Sequence, residues 1–241
     1  IVFGDWSSDV CSSDLLPTYF STYIAGGRSL TLWGYAVAIG SLIAALISPI
    51  LGAIADFRGS KKKFLAVFAA IGIISTGLLF IVDQPDEWLL CCILYIVGTI
   101  GFAGSLVFYD SLLPHIARED EIDQVSSRGF AMGYIGGGIL LLINVIMIFL
   151  GPRLTPGMGE QQATMFWMRL SLASVAVWWA VFSIPLFLRV KEPARRVEES
   201  EIGQSVTKVG FQRFIKALRE ISQFPDLFWF MLTFLDRKSV V

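Results

Sequence analysis

The sequence predicts an all-α membrane protein, and its composition and its patterning carry that prediction. Hydrophobic residues make up 55% and charged residues only 16% of the 241 residues, and the mean hydropathy is +0.67. A soluble domain carries roughly 25% charged residues, so this chain has too little polar surface to face water on all sides. The apolar residues also fall into long uncharged stretches, which is typical of helices that cross a membrane.

Five uncharged stretches of 19 residues or more are each long enough to span a bilayer. A hydrocarbon core of about 30 Å needs roughly 20 residues of helix at a rise of about 1.5 Å per residue. The stretches cover residues 29–55, 64–82, 88–109, 129–152 and 170–188. We therefore expect the second to sixth spans near 32–55, 64–82, 89–109, 129–150 and 167–188.

A first span is expected before these five, but its sequence is interrupted. The uncharged run at 15–27 has only 13 residues, too few to cross a bilayer alone, and three aspartates precede it. We interpret 1–16 as a damaged first span and 17–188 as the transmembrane bundle.

Two short strings at the ends of the chain resemble translated sequencing adaptors. One is the Ser- and Asp-rich string at 7–15, which contains Cys11, and the other is 236–241. We interpret both as artefacts, and resequencing of the locus tests this interpretation.

A polar segment at 189–226 separates the sixth span from the apolar start of a seventh span at 227–235. Its length of nearly forty residues is typical of a linker between two helix bundles. Apolar residues at helical spacing predict an amphipathic helix over 210–223. We expect this helix to lie on the inner leaflet or to pack on the cytoplasmic face of the bundle. Its apolar positions are Phe211, Phe214, Ile215 and Leu218.

The positions of lysine and arginine predict the orientation of the chain. Fourteen of the 19 Lys and Arg residues lie in segments that reach one side of the membrane, including the 56–63 loop and the 189–226 linker. The loops on the opposite side hold Arg28 and Arg153, and Arg169 is expected to snorkel to that side. Cytoplasmic loops are enriched in basic residues, so we expect the N-terminus and the linker to be cytoplasmic.

Several function classes are excluded by the charge and by missing motifs. A net charge of -1 provides no field to attract a polyanion, so we expect no nucleic-acid partner. The chain has one histidine and no Cys-x-x-Cys, Gly-x-Ser-x-Gly or Walker phosphate-binding motif. We therefore expect no enzymatic site, no metal, no cofactor and no ATP-driven transport on this chain.

Small residues recur every four positions on two of the expected spans. Because lipid gives helices no hydrophobic reason to associate, small residues that allow close approach supply the contact. We interpret the two stripes as helix-packing surfaces, which either stay fixed or slide against a neighbour. They are Gly40, Ala44, Ser48 and Gly52 in the second span and Gly129, Gly133 and Gly137 in the fifth.

The loop between the second and third spans carries the most specific motif. Residues 52–63 read Gly-Ala-Ile-Ala-Asp-Phe-Arg-Gly-Ser-Lys-Lys-Lys, which resembles the loop signature of the major facilitator superfamily. The resemblance implies that Asp56 braces the two halves of a transporter at a cytoplasmic gate. Phe57 departs from the Arg or Lys of that signature, and Arg58 can substitute from the next position. The implied gating residues are Gly52, Asp56, Arg58, Gly59, Lys61 and Lys62.

A second stretch of sequence indicates which branch of this superfamily the chain resembles. Phe108-Tyr109-Asp110 and the glycine-rich segment 126–138 are similar to the vacuole-effluxer-like permeases of this superfamily. The resemblance covers 17–235 and implies the N-terminal six-helix bundle of a major-facilitator fold plus the start of a seventh span. It also implies small amphipathic substrates, amino acids first, and a bacterial inner-membrane location. The implied partners are the lipid bilayer, a small-molecule substrate and the C-terminal half of the same transporter.

Polar side chains at membrane depth are costly, which makes them candidates for a substrate pathway. Asn144 lies deep in the fifth span and either binds substrate or bonds to a neighbouring helix. Tyr109 and Asp110 close the fourth span, where we expect a gate, a vestibule or an interfacial anchor. Asp5 is the one acid expected well inside a span. The substrate-pathway candidates are Asp5, Tyr109, Asp110, Arg128 and Asn144.

The sequence favours a secondary transporter that works by alternating access. One alternative is a non-transporting membrane protein that binds a partner or lipid through 189–226. Retained uptake after deletion of 195–222 would argue against that alternative. A second alternative is a cation-coupled sugar permease of the same superfamily, which requires an ionisable cluster deep in the spans, and the intact spans show none.

Overall fold

The computed structural model describes residues 15–25, 29–58, 60–116, 118 and 120–191, and the elements found there are helices. The α-helices are α1 (Leu16–Tyr19), α2 (Ser29–Arg58), α3 (Lys61–Leu78), α4 (Trp88–Asp110), α5 (Leu113–Ile116), α6 (Ile122–Leu150) and α7 (Glu160–Arg189). A π-helix at Phe20–Ile24 continues α1, and 3-10 turns lie at Leu79–Ile81, Pro85–Glu87 and Gly151–Leu154.

Within the described ranges, five helices, α2, α3, α4, α6 and α7, are long and apolar enough to cross a membrane. The chain is therefore an all-α, multi-pass membrane protein. A helix suits this solvent because it satisfies its backbone hydrogen bonds within its own segment. Two helices extend beyond the expected spans: α2 runs from Ser29 to Arg58, and α7 begins at Glu160.

The spanning helices pack side by side in the order α2, α4, α3, α7, α6. α3 and α7 are antiparallel neighbours, because Lys62 at the start of α3 contacts Val190 after the end of α7, and Arg169 of α7 contacts Asp83 beyond the end of α3. We call the end of the bundle that holds Lys62 the basic end. We call the end that holds Asp83 the distal end.

Glycines bring α3 into close contact with both of its neighbours. A Cβ added to Gly101 of α4 would lie 2.5 Å from the backbone nitrogen of Gly72 and 2.9 Å from the carbonyl oxygen of Phe68, both in α3. A Cβ added to Gly72 would meet the indole ring of Trp179 in α7. The interface of α4, α3 and α7 thus has no room for one more methyl group at either glycine.

The small-residue stripe of α2 faces α4 at two of its positions. A Cβ on Gly40 would lie 3.6 Å from Cβ of Thr99, and a Cβ on Gly52 would lie 3.9 Å from Cγ1 of Val107. These are ordinary van der Waals distances, looser than those at Gly72 and Gly101. In the two predicted stripes, Gly40, Gly133 and Gly137 are buried, whereas Ala44, Ser48, Gly52 and Gly129 are half-buried.

The described part of the expected first span packs into the core near the distal end. Four of its side chains, those of Leu16, Tyr19, Phe20 and Ile24, are at most 1% exposed. The Tyr19 hydroxyl donates a hydrogen bond to the carbonyl of Val82, which follows α3. Thirteen uncharged residues are too few to span alone, and this short helical segment packs against the longer helices α2, α4 and α7.

Several predictions fall on residues outside the described ranges. They are Asp5 and the interrupted start of the first span at 1–14, Gly59, the linker from 192 to 226 with its expected helix at 210–223, the start of the seventh span at 227–235, and the 236–241 string.

Candidate functional site

A cavity of about 360 Å³ opens at the basic end, between the end of α4, α5, the start of α6 and the end of α7. Most of its walls are aliphatic or aromatic, and four polar side chains face it. The apolar lining residues are Leu106, Leu112, Leu113, Ile116, Val125, Phe130, Met132, Leu186 and Val190, and the polar ones are Tyr109, Asp110, Ser126 and Arg128, with Gly129 between the two sets.

The ends of two helices place the polar groups of the cavity. Tyr109 and Asp110 form the last turn of α4, and Arg128 lies in the second turn of α6. Tyr109 is half-buried, while Asp110 and Arg128 are exposed. The Tyr109 hydroxyl lies 4.0 Å from the place where a Cβ on Gly129 would stand, so this glycine leaves room for the phenol ring. The cavity therefore combines one acid, one cation and a hydroxyl with apolar walls.

Two lysines of the loop signature bind the helix ends that form the cavity walls. Lys61 is 7% exposed, and its Nζ donates to the Ser111 carbonyl at 3.0 Å and lies 3.3 Å from Nε2 of His115. Nζ of Lys62 donates to the carbonyls of Phe187, at 3.0 Å, and Val190. The last carbonyls of a helix lack partners in their own helix and carry partial negative charge. The ammonium groups therefore cap α4 and α7.

The other signature residues lie at the end of α2. Gly52 is half-buried against α4. Asp56 and Arg58 belong to the last turns of α2, and their side chains are outside the described part of the structure, as is the whole of Gly59. The structure thus places Gly52 and Lys61 beside α4, and Lys62 beside the end of α7.

Asn144 lies in a separate polar cluster between α6 and α7. It is fully buried, and its Oδ1 accepts a hydrogen bond from Oγ of Ser174 at 2.8 Å. Among the described residues, Nδ2 of Asn144 and Oγ of Ser171 have no hydrogen-bond partner. Along α6, Asn144 is displaced from Arg128 by about 24 Å at a rise of about 1.5 Å per residue. The structure therefore does not bring Asn144 to the cavity at the basic end.

Arg169 marks a second polar contact that sequence reasoning missed. Its side chain is only 15% exposed and reaches Asp83 beyond the end of α3, at the distal end of the bundle. Nε donates to the Phe80 carbonyl at 2.6 Å, Nη1 lies 3.2 Å from Oδ2 of Asp83, and the guanidinium stands 4.9 Å from the centre of the Phe80 ring. The acids of the 83–87 turn were the one sequence signal for such a partner.

The residues that the structure describes contain no group of three or more His, Cys, Asp or Glu side chains that could hold a metal ion. Cys91 and Cys92 of α4 are buried.

The five long apolar helices in the described ranges define a polytopic all-α membrane protein, and the cavity lies at their basic end. Residues 27–124 and 120–235 match the family described as vacuole effluxer Atg22 like, and the chain belongs to this family.

Relatives of this chain occur in bacteria and fungi. A Bacillus subtilis (strain 168) protein named uncharacterized MFS-type transporter YxiO is 32% identical over 242 residues, which cover 97% of this chain and 54% of that protein. Autophagy-related protein 22 of Coccidioides immitis (strain RS) is 26% identical over 224 residues, which cover 70% of this chain and 35% of that protein. The chain thus spans about half the length of the bacterial relative. No solved structure matches it.

Proposed function

We propose that this chain is the N-terminal part of a secondary active transporter of the major facilitator type, which moves small amphipathic solutes, amino acids first, by alternating access. The observation that carries the proposal is the cavity of about 360 Å³ at the basic end. It joins an acid and a cation to apolar walls, at the ends of helices that cross the membrane. Membership of the effluxer family supports the same function.

The size and lining of the cavity suit a small zwitterion with an apolar side chain. Ligand sites are mostly apolar clefts of about 300–1,000 Å³ with a few placed polar groups. The Asp110 carboxylate attracts an ammonium group, and the Arg128 guanidinium binds a carboxylate through charge-assisted hydrogen bonds. The Tyr109 hydroxyl adds a neutral donor and acceptor.

The cavity is a vestibule on the cytoplasmic side in this proposal. The basic end carries Lys61, Lys62 and Lys63 and the first linker residues, 189–191, which include Arg189 and Lys191. This is the bias expected of a cytoplasmic face. The bacterial relative supports a location in a bacterial cytoplasmic membrane.

The loop signature acts as the gate beside this vestibule. Lys61 and Lys62 hold the ends of α4 and α7, so a movement of the loop shifts two walls of the cavity. Asp56, Arg58 and Gly59 are proposed to brace the second half of the transporter when the site faces outward. Gly52 lets the end of α2 lie beside α4.

Two candidates lie away from the vestibule. Nδ2 of Asn144, which has no hydrogen-bond partner among the described residues, is proposed to donate to the substrate at another stage of the path, when α6 and α7 separate. Asp5 remains a proposed partner for a proton or for the substrate ammonium.

A transport assay tests the proposal. It uses the full-length protein encoded by the natural reading frame that contains residues 16–235. The full-length protein is reconstituted in liposomes and offered neutral amino acids and sugars under a proton gradient. We expect uptake of amino acids, lowered at least about tenfold by Asp110→Asn or Arg128→Gln, because each removes a charged partner of the substrate. Arg118→Gln is the control, since Arg118 is exposed and does not line the cavity.

Two results of this assay would contradict the proposal. If the protein exchanges none of the solutes, the transport function is wrong. If it transports and the Asp110 and Arg128 variants match the Arg118 variant, the vestibule is not part of the pathway.

A further inference from the structure

We infer that α3 and α7 are fastened to each other at both membrane faces. At each face, a cation on one of the two helices caps the C-terminal end of the other helix. At the basic end, the contact of Lys62 with Val190 connects the 52–63 loop, which we call the gate loop, to the start of the linker. We call this connection the tie, and its role in transport rests on the proposed function. The fastening of α3 to α7 is argued from the contacts alone.

At the distal end, α7 caps α3. The last turn of α3 continues as a 3-10 turn at Leu79–Ile81. Nε of Arg169 donates to the Phe80 carbonyl in that turn at 2.6 Å, and its Nη1 pairs with Asp83 at 3.2 Å. Because the arginine is 15% exposed, solvent weakens this contact less than it would a surface ion pair.

At the basic end, α3 caps α7. Nζ of Lys62 donates to the Phe187 carbonyl at 3.0 Å and to the Val190 carbonyl. Both carbonyls lie in or just after the last turn of α7. A cation at a helix C-terminus is favourable in itself, and the effect is larger in partly buried geometries. Lys62 thus holds the residue from which the chain continues into the linker.

The centre of the same pair is closely packed. A Cβ on Gly72 of α3 would collide with the indole of Trp179 in α7, and Trp179 is 7% exposed. The two antiparallel helices therefore touch at the basic end, the middle and the distal end. Sliding or rotation of one helix along the other would break a cation–carbonyl contact at each face, so the pair moves as one body.

The basic end of α3 also holds α4, through Lys61 and the Ser111 carbonyl. Adjacent lysines on α3 therefore hold two helices, α4 and α7, whose ends form walls of the cavity. When the second half of the transporter moves, the linker pulls at Val190. This pull reaches α3 and the gate loop through Lys62.

Hydrogen exchange of the full-length protein, measured by mass spectrometry, tests the fastening at the basic end. We expect Lys62→Met to speed exchange in the peptide 184–191 about tenfold or more, because a charge-assisted hydrogen bond to the helix end is lost. Lys62→Arg should keep exchange near the wild-type rate. Lys63→Met is the matched control, since Lys63 is the neighbouring lysine and is exposed. Arg169→Met should speed exchange at 78–83 in the same way.

The outcomes separate this inference from the proposed function. The fastening is refuted if Lys62→Met leaves exchange at 184–191 unchanged, or if Lys63→Met speeds it equally. Transport by the same variants tests the tie: we expect Lys62→Met to lower the maximal rate and Lys63→Met to leave it unchanged. Suppose that the wild type transports, and that Lys62→Met speeds hydrogen exchange at 184–191 without lowering the maximal transport rate. The role of the tie in transport is then wrong, while the transport function stands. If the wild type does not transport, the exchange result still decides the fastening.

Discussion

At the residue scale, three sets of polar side chains in the described part of the protein make contacts between helices. Lys61 and Lys62 bind helix ends at the basic end, Arg169 binds another at the distal end, and Asn144 is buried between α6 and α7. All three of these cations contact backbone carbonyls. Asn144 differs, because part of its hydrogen-bonding capacity is unused within the described residues. A polar group of this kind in a membrane protein is a functional candidate.

Replacement of Asn144 by leucine separates a packing role from a role in transport. Leucine has a similar size and removes Nδ2, which has no hydrogen-bond partner in the described ranges. Oγ of Ser174 keeps its second acceptor, the Ser171 carbonyl, at 2.7 Å. Interhelical hydrogen bonds in membranes contribute only about 0.6 kcal/mol on average. We therefore expect the melting temperature of Asn144→Leu to stay close to that of the wild type, while transport falls roughly tenfold because a donor to the substrate is lost.

The control for Asn144→Leu is Ser174→Ala. It removes the partner of Oδ1 and leaves the Asn144 amide in place, so transport should be retained. Wild-type transport by Asn144→Leu would show that this amide serves only to join α6 and α7.

At the scale of the elements, α3 organises the bundle because it touches α4 and α7 through glycines and caps both with lysines. The composition of α3 does not distinguish it, since four other helices in the described ranges are also long and apolar enough to cross a membrane. Its importance comes from its position between two neighbours. Gly72 allows contact with Trp179, and Gly101 of α4 lies against the backbone of α3.

Substitution of Gly101 by alanine measures the packing of α3 against α4. The new Cβ would lie 2.5 Å from a backbone atom of Gly72, so one of the helices must shift. Overpacking of this kind costs typically about 1–3 kcal/mol, and we expect a lower melting temperature in detergent. The measurement is thermal unfolding of the purified full-length protein.

Gly138→Ala is the matched control for that substitution. A Cβ at Gly138 of α6 meets nothing within 4 Å, and alanine favours a helix over glycine by about 1 kcal/mol. The melting temperature should therefore stay the same or rise. Equal losses at Gly101 and Gly138 would contradict the close packing of α3 and α4.

At the scale of the whole molecule, the two ends of the bundle differ in charge and in what they hold. The basic end contains the cavity, the lysines that begin α3 and the start of the linker, whereas the distal end contains the 83–87 turn and the described part of the first span. Alternating access requires one end to open while the other closes. The orientation of the bundle therefore decides to which compartment the cavity opens.

Cysteine labelling of intact cells tests the orientation. In a full-length background without native cysteines, Lys63→Cys and Asp86→Cys place exposed thiols at opposite ends of the bundle. A membrane-impermeant maleimide added outside should label position 86 and not position 63, because basic loops stay in the cytoplasm. Inside-out vesicles should show the reverse. Labelling of position 63 in intact cells would place the cavity on the outer side.

Much of the architecture is legible in the sequence because a membrane imposes local rules. Each span must be apolar and must satisfy its own backbone, so uncharged runs locate α2, α3, α4, α6 and α7 without reference to any neighbour. The polar candidates Tyr109, Asp110 and Arg128 were also visible locally, and the structure brings all three to one cavity. Their meeting was not predictable, since it depends on how the end of α4 packs against α6.

The sequence by itself determined that this protein is helical and lies in a membrane. The apolar content and the length of each uncharged run must match the lipid bilayer, whichever helices become neighbours. Only the tertiary structure decided which cation caps which helix. Lys62 and Val190 are 128 positions apart, and Arg169 and Phe80 are 89 positions apart. Residues so distant meet only when α3 and α7 become neighbours. That choice depends on shape, through contacts such as that of Gly72 with Trp179, and the hydrophobicity that every span shares does not specify it.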